Sequence, residues 1–207
     1  MGWIVSNKHH FIFIHIPKTG GTSIAEPSYR DSKGALTGIL GEHDHIQAGH
    51  IRAVGLKERM GEQWDHYFKF AFVRNPWDRM VSLYHYFLQD PEKQTTELGQ
   101  RIATCDNFTD FCGRLESLEL DAHFDEQIGY IIDYNGNNIV DYIGRFETLE
   151  QDYNNICTRL GLPVTKLPHY RKSAHKKYQQ YYDDKTAGIS AERYRNDIAA
   201  FNYSIDV

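Results

Sequence analysis

The chain has 207 residues, 41% of them hydrophobic and 25% charged, with a net charge of -5. That is enough for one domain with a substantial core, and the negative balance argues against a general nucleic-acid binder, which is ordinarily basic, so any anion must be held by local basic clusters. Cys105, Cys112 and Cys157 are an odd number without metal-ligand spacing and read as reduced, core-packed thiols of a cytosolic protein, and no stretch reaches the length of a membrane span.

Taken in chain order, the pattern predicts an α/β domain. Phe11-Ile-Phe-Ile-His-Ile16 reads as a strand that empties into Pro17-Lys-Thr-Gly-Gly-Thr-Ser23 and a helix near 23–25, interrupted at Pro27. A Gly- and His-bearing stretch over 34–50 leads to a helical segment around 47–59 and a second strand at 67–73. A helix follows over 77–88, with Pro76 suited to its first turn because the missing N–H would be unpaired there anyway. A polar loop then runs through Thr96, and 107–118 reads as a helix with Asn107 or Thr109 near its cap. Asn135-Gly-Asn137, flanked by 130–133 and 139–143, is a hairpin signal. Thr148-Leu-Glu-Gln151 has capping-box spacing for a helix running to Leu160, before Gly161 and Pro163, and Ser190 is placed to cap a last helix ending near Phe201.

Two of these junctions carry chemistry. In the first, Lys18 brings a full positive charge, Thr19, Thr22 and Ser23 bring hydroxyls, and Gly20 and Gly21 let consecutive N–H groups face an anion. The lysine precedes the glycine pair, whereas a nucleotide-hydrolysing loop places it after the last glycine, so this is not a Walker A loop. In the second, Arg74 stands at a strand end beside a helix N-terminus, with Ser82 eight residues on, and its guanidinium fork suits phosphate oxygens. An isolated Gly-Gly turn serves equally well to relieve backbone strain, but two anion sites in one small domain point to a ligand with two separated anionic groups.

On these residues the chain resembles the sulfotransferases that use 3′-phosphoadenylyl sulfate (PAPS), specifically the heparan-type carbohydrate O-sulfotransferase branch and its bacterial relatives. The resemblance implies a single sulfotransferase domain over 1–207 with a three-layer, P-loop-like α/β fold, its central, mainly parallel sheet flanked by helices. It assigns the loop Pro17 to Ser23 to the 5′-phosphosulfate and Arg74 and Ser82 to the 3′-phosphate. A late basic segment folds over the cofactor in this family, which makes Arg171, Lys172, Ser173 and Lys176 in the tract 166–184 the candidates here, against a solvated surface loop as the plain alternative. Tyr142-Ile-Gly-Arg-Phe-Glu147, Leu167-Pro-His169 and the stretch 194–203 also look family-like. The animal enzymes of the branch carry a membrane anchor, so a cytoplasmic, bacterial-type member is expected.

The implied reaction is in-line transfer of a sulfuryl group from PAPS to an acceptor hydroxyl, a carbohydrate being expected, with 3′-phosphoadenosine 5′-phosphate (PAP) leaving. Lys18 is then the electrostatic partner of the leaving oxygen. The transferred group is singly charged, so no metal is expected. Among the 11 histidines, His43, His45 and His50 lie between the two anion elements. A metal site or a structural histidine competes with a general base here. His45-Ile-Gln-Ala48 matches the His-x-x-Ala helix start of the bacterial relatives, so His45 is expected as the base, with His43, Glu42 or Asp44 as alternatives. The segment 29–42 and the loop 89–105 are candidate specificity regions, and Trp64, Trp77 and Tyr86 candidate sugar platforms or core residues. A nucleotide kinase or NTPase, needing ATP and magnesium, and a non-catalytic nucleotide-binding module are the alternatives.

Overall fold

A computed structural model describes residues 2–25, 36, 40, 44–164, 166–167 and 176–205. Its strands are β1 (Gly2–Ser6), β2 (Phe11–Ile14), β3 (His45–Ala48), β4 (Phe68–Val73) and β5 (Tyr142–Arg145). Its helices are α1 (Gly21–Ala25), α2 (Ala53–Met60), α3 (Pro76–Gln89), α4 (Pro91–Gln94), α5 (Glu97–Ala103), α6 (Phe108–Gly113), α7 (Leu149–Leu160), α8 (Asp184–Arg193) and α9 (Arg195–Phe201). The chain groups into two compact units, Met1–Val73 with Gln127–Arg171, and Arg74–Glu126 with Lys172–Val207.

The first unit is α/β, built on a five-stranded sheet in the order β3-β1-β2-β4-β5. Here β2, β4 and β5 are parallel, while β1 is antiparallel to both β2 and β3. The sheet is therefore mixed, a parallel half as expected and an antiparallel half contributed by β1, whose three apolar residues Trp3-Ile-Val5 are a short signal. The connection Asn7 to His10 closes the β1–β2 hairpin with His10 in the left-handed region at φ 51°. Side chains alternate across the sheet, so Ile4, Phe11, Phe13, Phe70 and Phe72 share one buried face with Ile24 and Ala25 of α1 and Tyr153, Ile156 and Cys157 of α7. Trp3 and Val5 point the other way and line a cleft with Leu56 and Met60 of α2.

Two expectations for this unit change. The helical segment 47–59 is instead β3, pairing with Gly2 to Val5, and then α2 from Ala53; Gly49 at φ 99° separates them. Thr148 does not cap α7: its hydroxyl donates to the Asp152 carboxylate at 2.7 Å, while Gly161 ends the helix in the left-handed conformation. Asp152 also accepts from Tyr142 Oη at 2.6 Å and Arg145 N at 2.9 Å, which pins the end of β5 to the start of α7.

Among its described residues the second unit contains helices and no strand. Asn75 caps α3 by accepting from Trp77 N, with Pro76 in the first turn. Met80, Val81, Leu83, Tyr84 and Phe87 of this helix then form a core with Leu98 and Ile102 of α5, Phe108 and Phe111 of α6, and Tyr194. The expected polar loop after α3 is two short helices, each started by its own cap, Asp90 for α4 and Thr96 for α5. Asn107 caps α6, which stops at Gly113 rather than near 118. The last helix is divided: Asp183 and Thr186 form the capping box of α8, Ser190 lies buried inside it, and α9 follows Tyr194. All three cysteines are buried free thiols, and burial pushes Cys112 up to about 12, which leaves it an unreactive core residue. Among the described residues no helix is long and apolar enough to cross a membrane.

Candidate active site

Since β2 and β4 are adjacent and parallel, they run out at the same edge of the sheet. At the end of β2 the chain turns through His15 and Ile16, both buried, into the glycine loop. The Thr19 hydroxyl donates to Ile16 O at 2.9 Å and Ser23 N to Gly20 O at 3.0 Å, which closes the loop onto the first turn of α1. Lys18 sits at φ 65°, a left-handed conformation that costs a non-glycine residue roughly 1–2 kcal/mol. Strain of that kind persists where the surroundings over-determine it, and here it falls on the one lysine of the loop. Lys18 and Thr22 are half-buried, whereas Pro17, Thr19 and Ser23 are buried.

The two glycines answer different demands. Gly20 needs its φ of 88°, and a Cβ there would meet Leu149 Cδ2 at 2.8 Å. Gly21 has no such φ, but a Cβ on it would fall 2.1 Å from the His15 ring, inside any real contact distance. The loop therefore arches from His15 and lands on the ring of that same residue. The sequence pattern singled out the glycines and left His15 as a strand position.

The histidines are ordered by the sheet register. His45 pairs with Val5, which pairs with Ile12 near the start of β2, while Ala48 pairs with Gly2. Three residues separate His45 from the edge that carries the loop, roughly 10 Å at about 3.3 Å per residue. His45 is exposed and lies in the cleft of about 350 Å³ that also takes in Trp3, Asn7, Gln47, Arg59 and Gln63. His50, beyond Ala48, is the histidine brought to the loop: its Nδ1 lies 2.9 Å from His15 O and its ring packs edge-on against the His15 ring, centroids 4.7 Å apart. A carbonyl only accepts, so Nδ1 must carry the proton, and a neutral His50 then holds its lone pair on Nε2. His50-Ile-Arg-Ala53 repeats the His-x-x-Ala spacing, and the structure shows that this copy leads into a helix.

Of the other candidate residues, Asp44 accepts from Ser6 Oγ and Lys8 N and so fastens the β1–β2 hairpin. Glu42, His43, Arg171, Lys172 and Ser173 lie outside the described residues. In the second unit Arg74 is buried and its Nε donates to Asp78 Oδ2 at 2.8 Å, an ion pair one helical turn long that fixes the plane of the guanidinium. Ser82 is buried on α3, and Lys176 is exposed with its N–H on Tyr181 Oη. Arg79 of the same motif is structural: it is fully buried, donates to Asp125 O at 3.0 Å and His123 O at 2.7 Å, and lies over the Tyr194 ring. Trp64 and Trp77 are core residues, and half-buried Tyr86 lies under Lys93. No group of His, Cys, Asp and Glu among the described residues has a metal-holding arrangement.

The sequence profile of the sulfotransferase family matches residues 1–204. Comparison with curated protein sequences gives no match. Among solved structures, the crystal structure of a mouse sulfotransferase complexed with PAP is similar to this chain, with a TM-score of 0.54 at 16% identity over 95% of this chain and 88% of that one.

Proposed function

We propose, on the premise that this chain belongs to the sulfotransferase family, that it moves a sulfuryl group from PAPS to a hydroxyl of a carbohydrate acceptor. The loop from Pro17 to Ser23 carries the reading. It combines a lysine held in a left-handed conformation, a closed hydroxyl-bearing turn and two glycines at positions where a side chain would collide with Leu149 or His15. That donor set fits a phosphosulfate, and the profile match over 1–204 supports treating the whole chain as one sulfotransferase domain.

In this reading the acceptor oxygen attacks sulfur in line, its bond to sulfur forms as the bond from sulfur to the 5′-phosphate oxygen breaks, and PAP leaves with that electron pair. Lys18 and the N–H groups of Gly20, Gly21 and Thr22, with the Ser23 hydroxyl, stabilise the charge on the leaving oxygen, more strongly as it develops. Arg74, with Ser82, holds the 3′-phosphate, and Arg171, Lys172, Ser173 and Lys176 supply further cofactor contacts. The proton of the acceptor goes to a histidine. We assign this role to His50 rather than His45, because its Nδ1 bond to His15 O presents Nε2 as a base at the loop.

His45 belongs instead to the cleft, where amide, imidazole and guanidinium groups over an apolar floor suit the hydroxyls and ring face of a sugar. The proposal retains the reading of a heparan-type, bacterial-type, cytoplasmic enzyme that needs no metal. The deciding experiment is calorimetry with PAP, AMP and ATP, the last with and without magnesium. PAP binding far more tightly than AMP, and without magnesium, is expected; magnesium-dependent preference for ATP refutes the reading.

A further inference from the structure

The ring of His15 is buried, stacked on Phe13 with centroids 5.7 Å apart, closed over by Gly21 on the loop side and met edge-on by His50. One side chain thus touches both the start of α1, where the glycine loop ends, and the histidine beside that loop. Its carbonyl fixes the tautomer of His50, and its ring limits how the His50 ring can tilt about that bond. We propose that His15 is a positioning residue, its imidazole setting the distance between the sulfuryl group held by the loop and Nε2 of His50. The proposal rests on the sulfotransferase reading and on His50 as the base.

The physical case is one of close packing. A side chain in contact on three sides has no volume to yield, so its position is transmitted to its neighbours. The hydrogen bond from Nδ1 to His15 O still allows the His50 ring to turn about it, and the His15 ring, packed edge-on, is a surface that limits that turn. Proton transfer needs Nε2 within hydrogen-bond reach of the acceptor hydroxyl, and misplacement by about 1 Å costs up to a hundredfold in rate. The His15 ring is buried and presents no surface to a ligand, so on this proposal its effect on kcat runs through His50.

That makes the test a double-mutant cycle in the full chain. The readouts are kcat with a reactive acceptor alcohol at saturating PAPS, and PAP affinity by calorimetry. His15→Ala is expected to lower kcat by about tenfold to a hundredfold while PAP affinity holds within about threefold. In the His50→Ala background the same change should cost almost nothing further, since the group it positions is already gone. His15→Phe, which keeps a planar ring against His50, should retain most of the activity and stands in if His15→Ala does not fold. Additive losses in the cycle, a parallel fall in PAP affinity, or a His15→Phe enzyme as impaired as His15→Ala would each overturn the proposal. Full activity in His50→Ala would instead remove its premise, and failure of PAP to bind the wild type would remove the sulfotransferase reading.

Discussion

Adding one methyl group at Gly21 is a direct probe of how the loop is built. The Cβ of Gly21→Ala would lie 2.1 Å from Cδ2 and Nε2 of His15 and 2.9 Å from Cε1. The ring has no ready escape, because it is buried between Phe13 and His50. Overpacking of this kind costs about 1–3 kcal/mol. Gly21 is not among the glycines at positive φ, so alanine regains roughly 0.4–1 kcal/mol by restricting the unfolded chain. The net is a loss of about 1–2 kcal/mol, which in a chain of this size lowers the apparent Tm by roughly 2–8 °C. Gly188→Ala is the control: it lies inside α8 with nothing within 4 Å of its Cβ, so the same substitution should stabilise by up to about 1 kcal/mol. Thermal unfolding of the two variants beside the wild type should give shifts of opposite sign. A Gly21→Ala protein with wild-type Tm and wild-type PAP affinity would show that the loop does not close on His15.

Arg74→Ala should erase most of the preference for PAP over AMP, a loss of about 1.5–3 kcal/mol or tenfold and more in affinity; equal binding of the two by the wild type would end the 3′-phosphate assignment. Lys18→Ala should lower kcat more than it weakens PAP binding, and Lys18→Gly should be the more stable of the two variants by roughly 1–2 kcal/mol because it suits φ 65°. Wild-type kcat in either variant would refute the role of the charge. His50→Ala should cut transfer by about 10²–10⁴-fold with PAP affinity unchanged, while His45→Ala should raise KM for a carbohydrate acceptor more than it lowers kcat; the reverse pattern returns the base to His45. For Asp152, burial raises the carboxyl pKa but is outweighed by bonds from Thr148, Tyr142 and Arg145 N and by the Arg145 charge, so the folded value is lowered. Its stabilising effect is therefore present above the ordinary carboxylate pKa near 3.9 and is lost as pH falls through the lower folded value. Asp152→Asn should flatten the acid limb of a Tm-versus-pH curve below about pH 4, and an unchanged limb would contradict the pairing.

What the sequence determined by itself was the local chemistry. The runs Phe11 to Ile14 and Phe68 to Val73, the second broken only by Lys69, are apolar because parallel strands at a sheet centre are covered on both faces, and each run is followed by residues whose chemistry suits an anion. The start of α3 was legible because Asn75 and Pro76 act within one turn, and the end of α7 because Gly161 alone supplies the left-handed cap. Only the tertiary structure decided which residues meet. Three apolar residues near the N-terminus do not announce β1; pairing with β2 and β3 on both sides makes it a strand. The sequence contains His-x-x-Ala twice and cannot rank the copies. The strand register does, since each residue along β3 moves a side chain by a fixed step relative to the edge where the loop stands, leaving His45 in the cleft and bringing His50 to the loop. Arg74 and Arg79 look alike in sequence, yet packing turns one toward a carboxylate and buries the other among carbonyls. Identity along the chain is set by short-range propensity and spacing, whereas the role of a side chain is set by its surroundings in space, which depend on contacts between residues far apart in sequence.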